Sequence, residues 1–104
     1  MAAVLLLSSL GCYAAFSATE EQCRESSLRA ETIMYARQAG ESLEVALEVL
    51  DQNAGDPAAT EAKQLLLAAY REPRSESEQG RQIAVENFKD KVLAICLATT
   101  SQPK

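Results

Sequence analysis

The stretch GESLEVALEVLDQNAGDP, Gly40 to Pro57, contains a complete helix together with the signals that start and stop it. Ser42 stands where a capping hydroxyl belongs, ahead of a run of good helix formers from Leu43 to about Asp51. Asn53-Ala54-Gly55 breaks that run, and Asp56-Pro57 opens the next helix. There the carboxylate caps, and proline lacks only an amide that would be unpaired at that position anyway.

The same punctuation recurs on both sides. Gly40 suits the left-handed residue that closes a preceding helix, and Thr19-Glu20-Glu21-Gln22 matches a capping box, so the first helix is expected from near Glu20 to just before Gly40. The third helix is expected to run to about Arg71, because Pro73 disfavours continuation past Glu72. Ser75-Glu76-Ser77-Glu78 holds a further capping box, opening a fourth helix to about Thr99. Within it Val85, Phe88, Val92, Ile95, Cys96 and Thr99 recur at spacings of three and four, which marks a core face. No segment alternates over strand length, so the expected fold is all-α, a small up-down bundle of about four helices.

The N-terminus differs in kind. Residues 1–19 carry no charge, whereas all 10 Lys and Arg and all 15 Asp and Glu lie beyond them. An apolar run from Val4 to Leu10 followed by small residues has the order of a secretory signal peptide, although Met1-Ala2-Ala3 offers no basic side chain. It is too short to span a bilayer, which takes about 20 apolar residues. Ala15-Phe16-Ser17 places small residues at both recognition positions, so residues 1–17 are expected to be cleaved and residues 18–104 to form a single helical domain. A different reading makes Cys12 a lipid-attachment site, giving an anchored lipoprotein with a structural envelope role. Ser9 and Leu10 depart from the usual residues of that motif. On the cleavage reading Cys23 and Cys96 remain, and an even count in a short exported chain reads as one disulfide. In an up-down bundle the start of the first helix and the end of the fourth lie at the same end, where these two cysteines fall.

Composition narrows the chemistry. The chain contains no histidine and so lacks the commonest general base and metal ligand. There is no phosphate-binding glycine loop, CxxC pair or nucleophile elbow. The expectation is therefore a non-enzymatic protein with no cofactor and no metal. A net charge of −5 argues against a nucleic-acid partner.

Two surface features remain. Glu41, Glu44, Glu48 and Asp51 follow one another at helical spacing on one side of the second helix, whose other positions are apolar. Such a stripe usually marks a solvated seam on a mostly buried helix; its functional reading is a docking surface for a cationic partner. The segment YREPRSESE, Tyr70 to Glu78, gathers an aromatic ring, Arg71, Arg74 and a proline at a corner. It can present arginines to an anionic partner. In the plainer reading Tyr70 packs inward, Arg71 sits at the negative end of the third helix and Arg74 pairs with nearby glutamates.

RQAG at the end of the first helix, AAYREPR at the corner and FKDKVLAIC in the last helix resemble a group of uncharacterised small exported α-helical proteins of proteobacteria and their phages. The resemblance spans most of residues 23–97. It implies export, a helical fold and a Cys23–Cys96 bridge, and brings no activity. The expected function is that of a periplasmic or secreted protein acting by protein–protein binding, inhibitor-like, immunity-like or chaperone-like. Its expected partner is a basic protein, with no membrane contact unless Cys12 is lipidated.

Overall fold

Four helices follow in succession, α1 (Ala2–Gln38), α2 (Leu43–Asp51), α3 (Pro57–Ala69) and α4 (Glu78–Thr100). The computed structural model describes the backbone of residues 2–100 and the side chains of residues 20–99. The cleavage motif Ala15-Phe16-Ser17 and Cys12 therefore lie outside the described side chains. No helix among the described residues is long and apolar enough to cross a membrane.

α1 ends on Gly40, which adopts φ +96°. The Gly40 amide donates to the Arg37 carbonyl at 3.1 Å and the Glu41 amide to the Ala36 carbonyl at 3.0 Å, so the last carbonyls of the helix are satisfied by a left-handed closing turn. Ser42 caps α2 through its hydroxyl, which accepts from the Val45 amide at 3.1 Å, and Asp56 caps α3 by accepting from the Ala58 amide at 3.0 Å. These starts and stops fall where the sequence places them.

Three boundaries differ. α1 begins at Ala2 and passes through Thr19 without a break, so the Thr19–Gln22 box lies inside the helix rather than at its start. An N-cap residue needs a non-helical backbone, and nothing between Ala14 and Thr19 interrupts the helix to supply one. α3 stops at Ala69, two residues before the expected Arg71. The Arg71 and Glu72 amides already close tight turns onto the Ala68 and Ala69 carbonyls ahead of Pro73. The cap of α4 is Ser77 rather than Ser75: its hydroxyl accepts from the Gly80 amide at 3.0 Å, while Ser75 is engaged elsewhere.

The helix directions follow from the spacing of their contacts. Ser26 meets Glu61, Arg37 meets Glu72 and Gln38 meets Pro73, each pair 35 residues apart, which is the signature of a parallel α1–α3 pair. Cys23 meets Cys96 and Glu31 meets Lys89, so partner numbers fall as α1 rises, and α4 is antiparallel to it. Thus α1 is central, packed against both α3 and α4, and α2 leans on α3. This is the up-down bundle that the short connections require.

The core lies towards the C-terminal half of α1. Ala30, Met34, Ala69, Val85 and Phe88 are buried, with Ile33, Leu65, Ala68, Tyr70 and Val92 packed around them. Full burial of side chains the size of Met34 and Phe88 contributes roughly 2–3 kcal/mol each. The expected core face of α4 is correct for Val85, Phe88 and Val92 but not for Ile95, which is 58% exposed, or Thr99, which is also exposed. At that level α1 offers Cys23, Ser26 and Ser27, too small a surface to cover both flanks of α4.

Cys23 and Cys96 are joined in a disulfide with their Cα atoms 5.6 Å apart. It closes a loop of 73 residues. On the chain-entropy argument a cross-link of that span stabilises by about 4 kcal/mol, a large share for so small a core.

Candidate interaction surface

α2 is the least buried helix, and this is the clearest departure from a helix set mostly inside a bundle. None of its residues is buried. Leu43, Ala46, Leu47 and Leu50 are half-buried on the side that meets α3, while Glu41, Glu44, Glu48 and Asp51 are all exposed. Val45 and Val49 are also exposed, at 49% and 54%. At about 100° per residue the carboxylates occupy one sector of the outward surface and the two valines the sector next to it. The ion pairs among the described residues, Arg29–Glu61, Lys89–Glu31 and Lys91–Glu72, leave the α2 carboxylates uncompensated. The surface can therefore attract cations at long range and bury aliphatic area at short range.

The corner segment has a different role. Gln38, only 2% exposed, lies at its centre. Its Nε2 donates to the Pro73 carbonyl at 3.0 Å and its Oε1 accepts from the Ser75 amide at 2.8 Å. Around it, Arg37 donates through Nε and Nη2 to the Glu72 carbonyl, and Arg81 donates to the carbonyls of Ser75 and Glu76. Arg74 donates from Nε to the Gln38 carbonyl at 2.7 Å, so it closes the end of α1 rather than pairing with a glutamate. Tyr70 packs against the core under the Arg37 guanidinium, 5.1 Å from the ring centre. Its hydroxyl donates to the Glu41 carbonyl at 2.7 Å. Burial raises the phenol pKa above its ordinary value, the Glu41 charge adds to the rise and the Arg37 charge opposes it.

The seven surface residues selected from the sequence therefore divide. Glu41, Glu44, Glu48 and Asp51 form one edge, and Tyr70 joins that edge to the corner through Glu41. Arg74 belongs to the latch that holds the corner on α1, and Arg71 is exposed at the end of α3. Sequence reasoning missed Gln38, Arg37 and Arg81, the three side chains that hold the corner, and also missed Val45 and Val49 as exposed groups. The exposed valines follow from the helical period once α2 is known to be covered on one side only.

Two open grooves flank the latch. One, of about 410 Å³, is lined by Tyr35, Gln38, Arg81, Gln82, Val85 and Glu86, among others. The other, of about 450 Å³, has Met34 and Phe88 in its lining together with Ile83, Glu72 and Lys91. Carboxylate catalysis of glycoside cleavage needs two acids facing one another across a cleft. In the first groove Glu78 and Glu86 both come from α4, and in the second Glu72 is paired with Lys91. Among the described residues no group of three potential ligands is placed to hold a metal ion.

No protein-family model matches the chain, and neither a curated protein nor a solved structure shows significant similarity to it.

Proposed function

We propose that this chain is an exported, non-enzymatic helical protein that acts by binding a basic protein through the outward face of α2. The carrying observation is that α2 buries none of its own residues and displays Val45 and Val49 beside four uncompensated carboxylates. Uncompensated charge steers an oppositely charged partner, and adjacent aliphatic surface gives the encounter something to bury. Export rests on the charge-free apolar N-terminus and its small-residue cleavage motif, and a single disulfide in a small domain suits an oxidising compartment. An inhibitor-like, immunity-like or small chaperone-like role in the periplasm or outside the cell accords with these features.

The test is affinity capture from an envelope extract with two baits, the processed wild-type domain and a Glu44→Gln, Glu48→Gln, Val45→Ser variant. A near-stoichiometric basic protein held by the first bait and lost from the second supports the reading. Equal recovery on both baits, or recovery of an acidic protein, refutes it.

A further inference from the structure

The two ends of the α1–α4 pair are held by different means. Near the corner, Met34, Val85 and Phe88 are buried together, and the Gln38 and Arg81 hydrogen bonds lock the connection. Beyond Phe88 every described residue of α4 is half-buried or exposed. The α1 surface at that level is Cys23, Ser26 and Ser27, and both serine hydroxyls are committed away from α4. Ser26 donates to Glu61 of α3 at 2.6 Å, and Ser27 donates to the Arg24 carbonyl of its own helix at 2.7 Å. The distal contact carries the Cys23–Cys96 bridge and a Lys89–Glu31 pair at 3.8 Å, an exposed type of pair that adds little. A helical segment with so little packing is marginal in water by itself. The two sulfur-bearing residues differ as well, Cys23 being fully buried and Cys96 half-buried.

We propose that the Cys23–Cys96 bridge is a redox-operated tether, opened at Cys96 by a dithiol donor, whose reduction releases the last turns of α4 from α1 while the Gln38 end stays folded. A donor thiolate attacks Sγ of Cys96, the Cys23–Cys96 bond breaks, and Cys23 leaves as a thiolate that takes up a proton. The donor's second thiol then displaces Cys96, which leaves as a thiol. The donor departs as its own disulfide, having given two electrons and two protons. Released, α4 uncovers the face that carries Val92 and Leu93. α1 keeps its hold on α3 through Glu61, which Ser26 and Arg29 both contact. Local opening of this kind draws on the least-packed part of a fold.

Hydrogen exchange read by peptide mass on the full chain, in a Cys12→Ser background, tests this before and after treatment with dithiothreitol. In the reduced protein, peptides covering residues 92–99 are expected to exchange fully at the first time point of a few seconds, while those covering 34–38 and 80–88 stay protected. Retained protection over 92–99 overturns the tether, and so does loss of protection over both regions together. Treatment with glutathione, a monothiol, identifies the sulfur attacked. A mixed disulfide on Cys96 is expected, and one found on Cys23 overturns the assigned entry point.

Discussion

Replacing Gln38 by Leu keeps side-chain size and removes both ends of the bond that seats the corner. Gln38 is buried, its amide bridges the Pro73 carbonyl at 3.0 Å and the Ser75 amide at 2.8 Å, and no other described side chain stands in for it there. A backbone group left unsatisfied inside a protein costs about 1–3 kcal/mol. Pro73 is exposed, so water can reach its carbonyl, whereas Ser75 is half-buried and its amide bears most of the cost. The expected loss is therefore about 2 kcal/mol, close to the value for one orphaned group rather than two. For a domain of this size that corresponds to a fall in melting temperature of roughly 10 °C. Thermal unfolding followed by far-ultraviolet circular dichroism measures it. A shift of less than about 2 °C would mean that the corner is held by packing rather than by Gln38, and would refute the latch.

Gly80→Ala should also destabilise, although alanine is the better helix former by about 1 kcal/mol. A Cβ at Gly80 would press on the Ser75 hydroxyl and lie 3.1 Å from Ser75 Cβ and 2.9 Å from the capping oxygen of Ser77, so a higher melting temperature in the variant would contradict that close approach. Because burial raises the Tyr70 phenol pKa, its stabilising contribution is complete below the unfolded value of about 10 and is lost as pH climbs through the folded value. The melting temperature of wild type should therefore fall more steeply above about pH 10 than that of Tyr70→Phe, and parallel profiles would count against it. Expressed with its own N-terminus in a Gram-negative host, the protein should be recovered outside the cytoplasm beginning at Ala18 or Thr19. Intact mass would detect the alternatives, a full-length cytoplasmic chain or a lipid on Cys12.

What the sequence made legible was local. Gly40, Ser42 and Asp56-Pro57 act on amides within a few residues of themselves, so their roles can be read without knowing the fold. The Cys23–Cys96 bridge was legible too, because alternating helix directions bring those ends together. Ser75 was mistaken for a cap because its competitor for the Ser75 amide, Gln38, lies 37 residues away. For the same reason nothing near Gln38 marks it as buried: its partners come from the far side of two other helices. The acidic edge of α2 was visible in its spacing, but its setting was not. Four half-buried residues, Leu43, Ala46, Leu47 and Leu50, are enough to seat a nine-residue helix on α3, and that leaves Val45 and Val49 uncovered.

The association rate of the captured partner tests the outward face of α2 most directly. It should be measured for wild type and for Glu44→Gln with Glu48→Gln at low and at near-molar salt. Both substitutions preserve side-chain size and helix propensity, so the melting temperature should hardly change. If these carboxylates steer the encounter, the variant should associate roughly three- to tenfold more slowly at low salt. The difference should close at high salt, where the screening length falls to about 3 Å. Equal rates at low salt, or a wild-type rate that does not respond to salt, would contradict a docking role for this face.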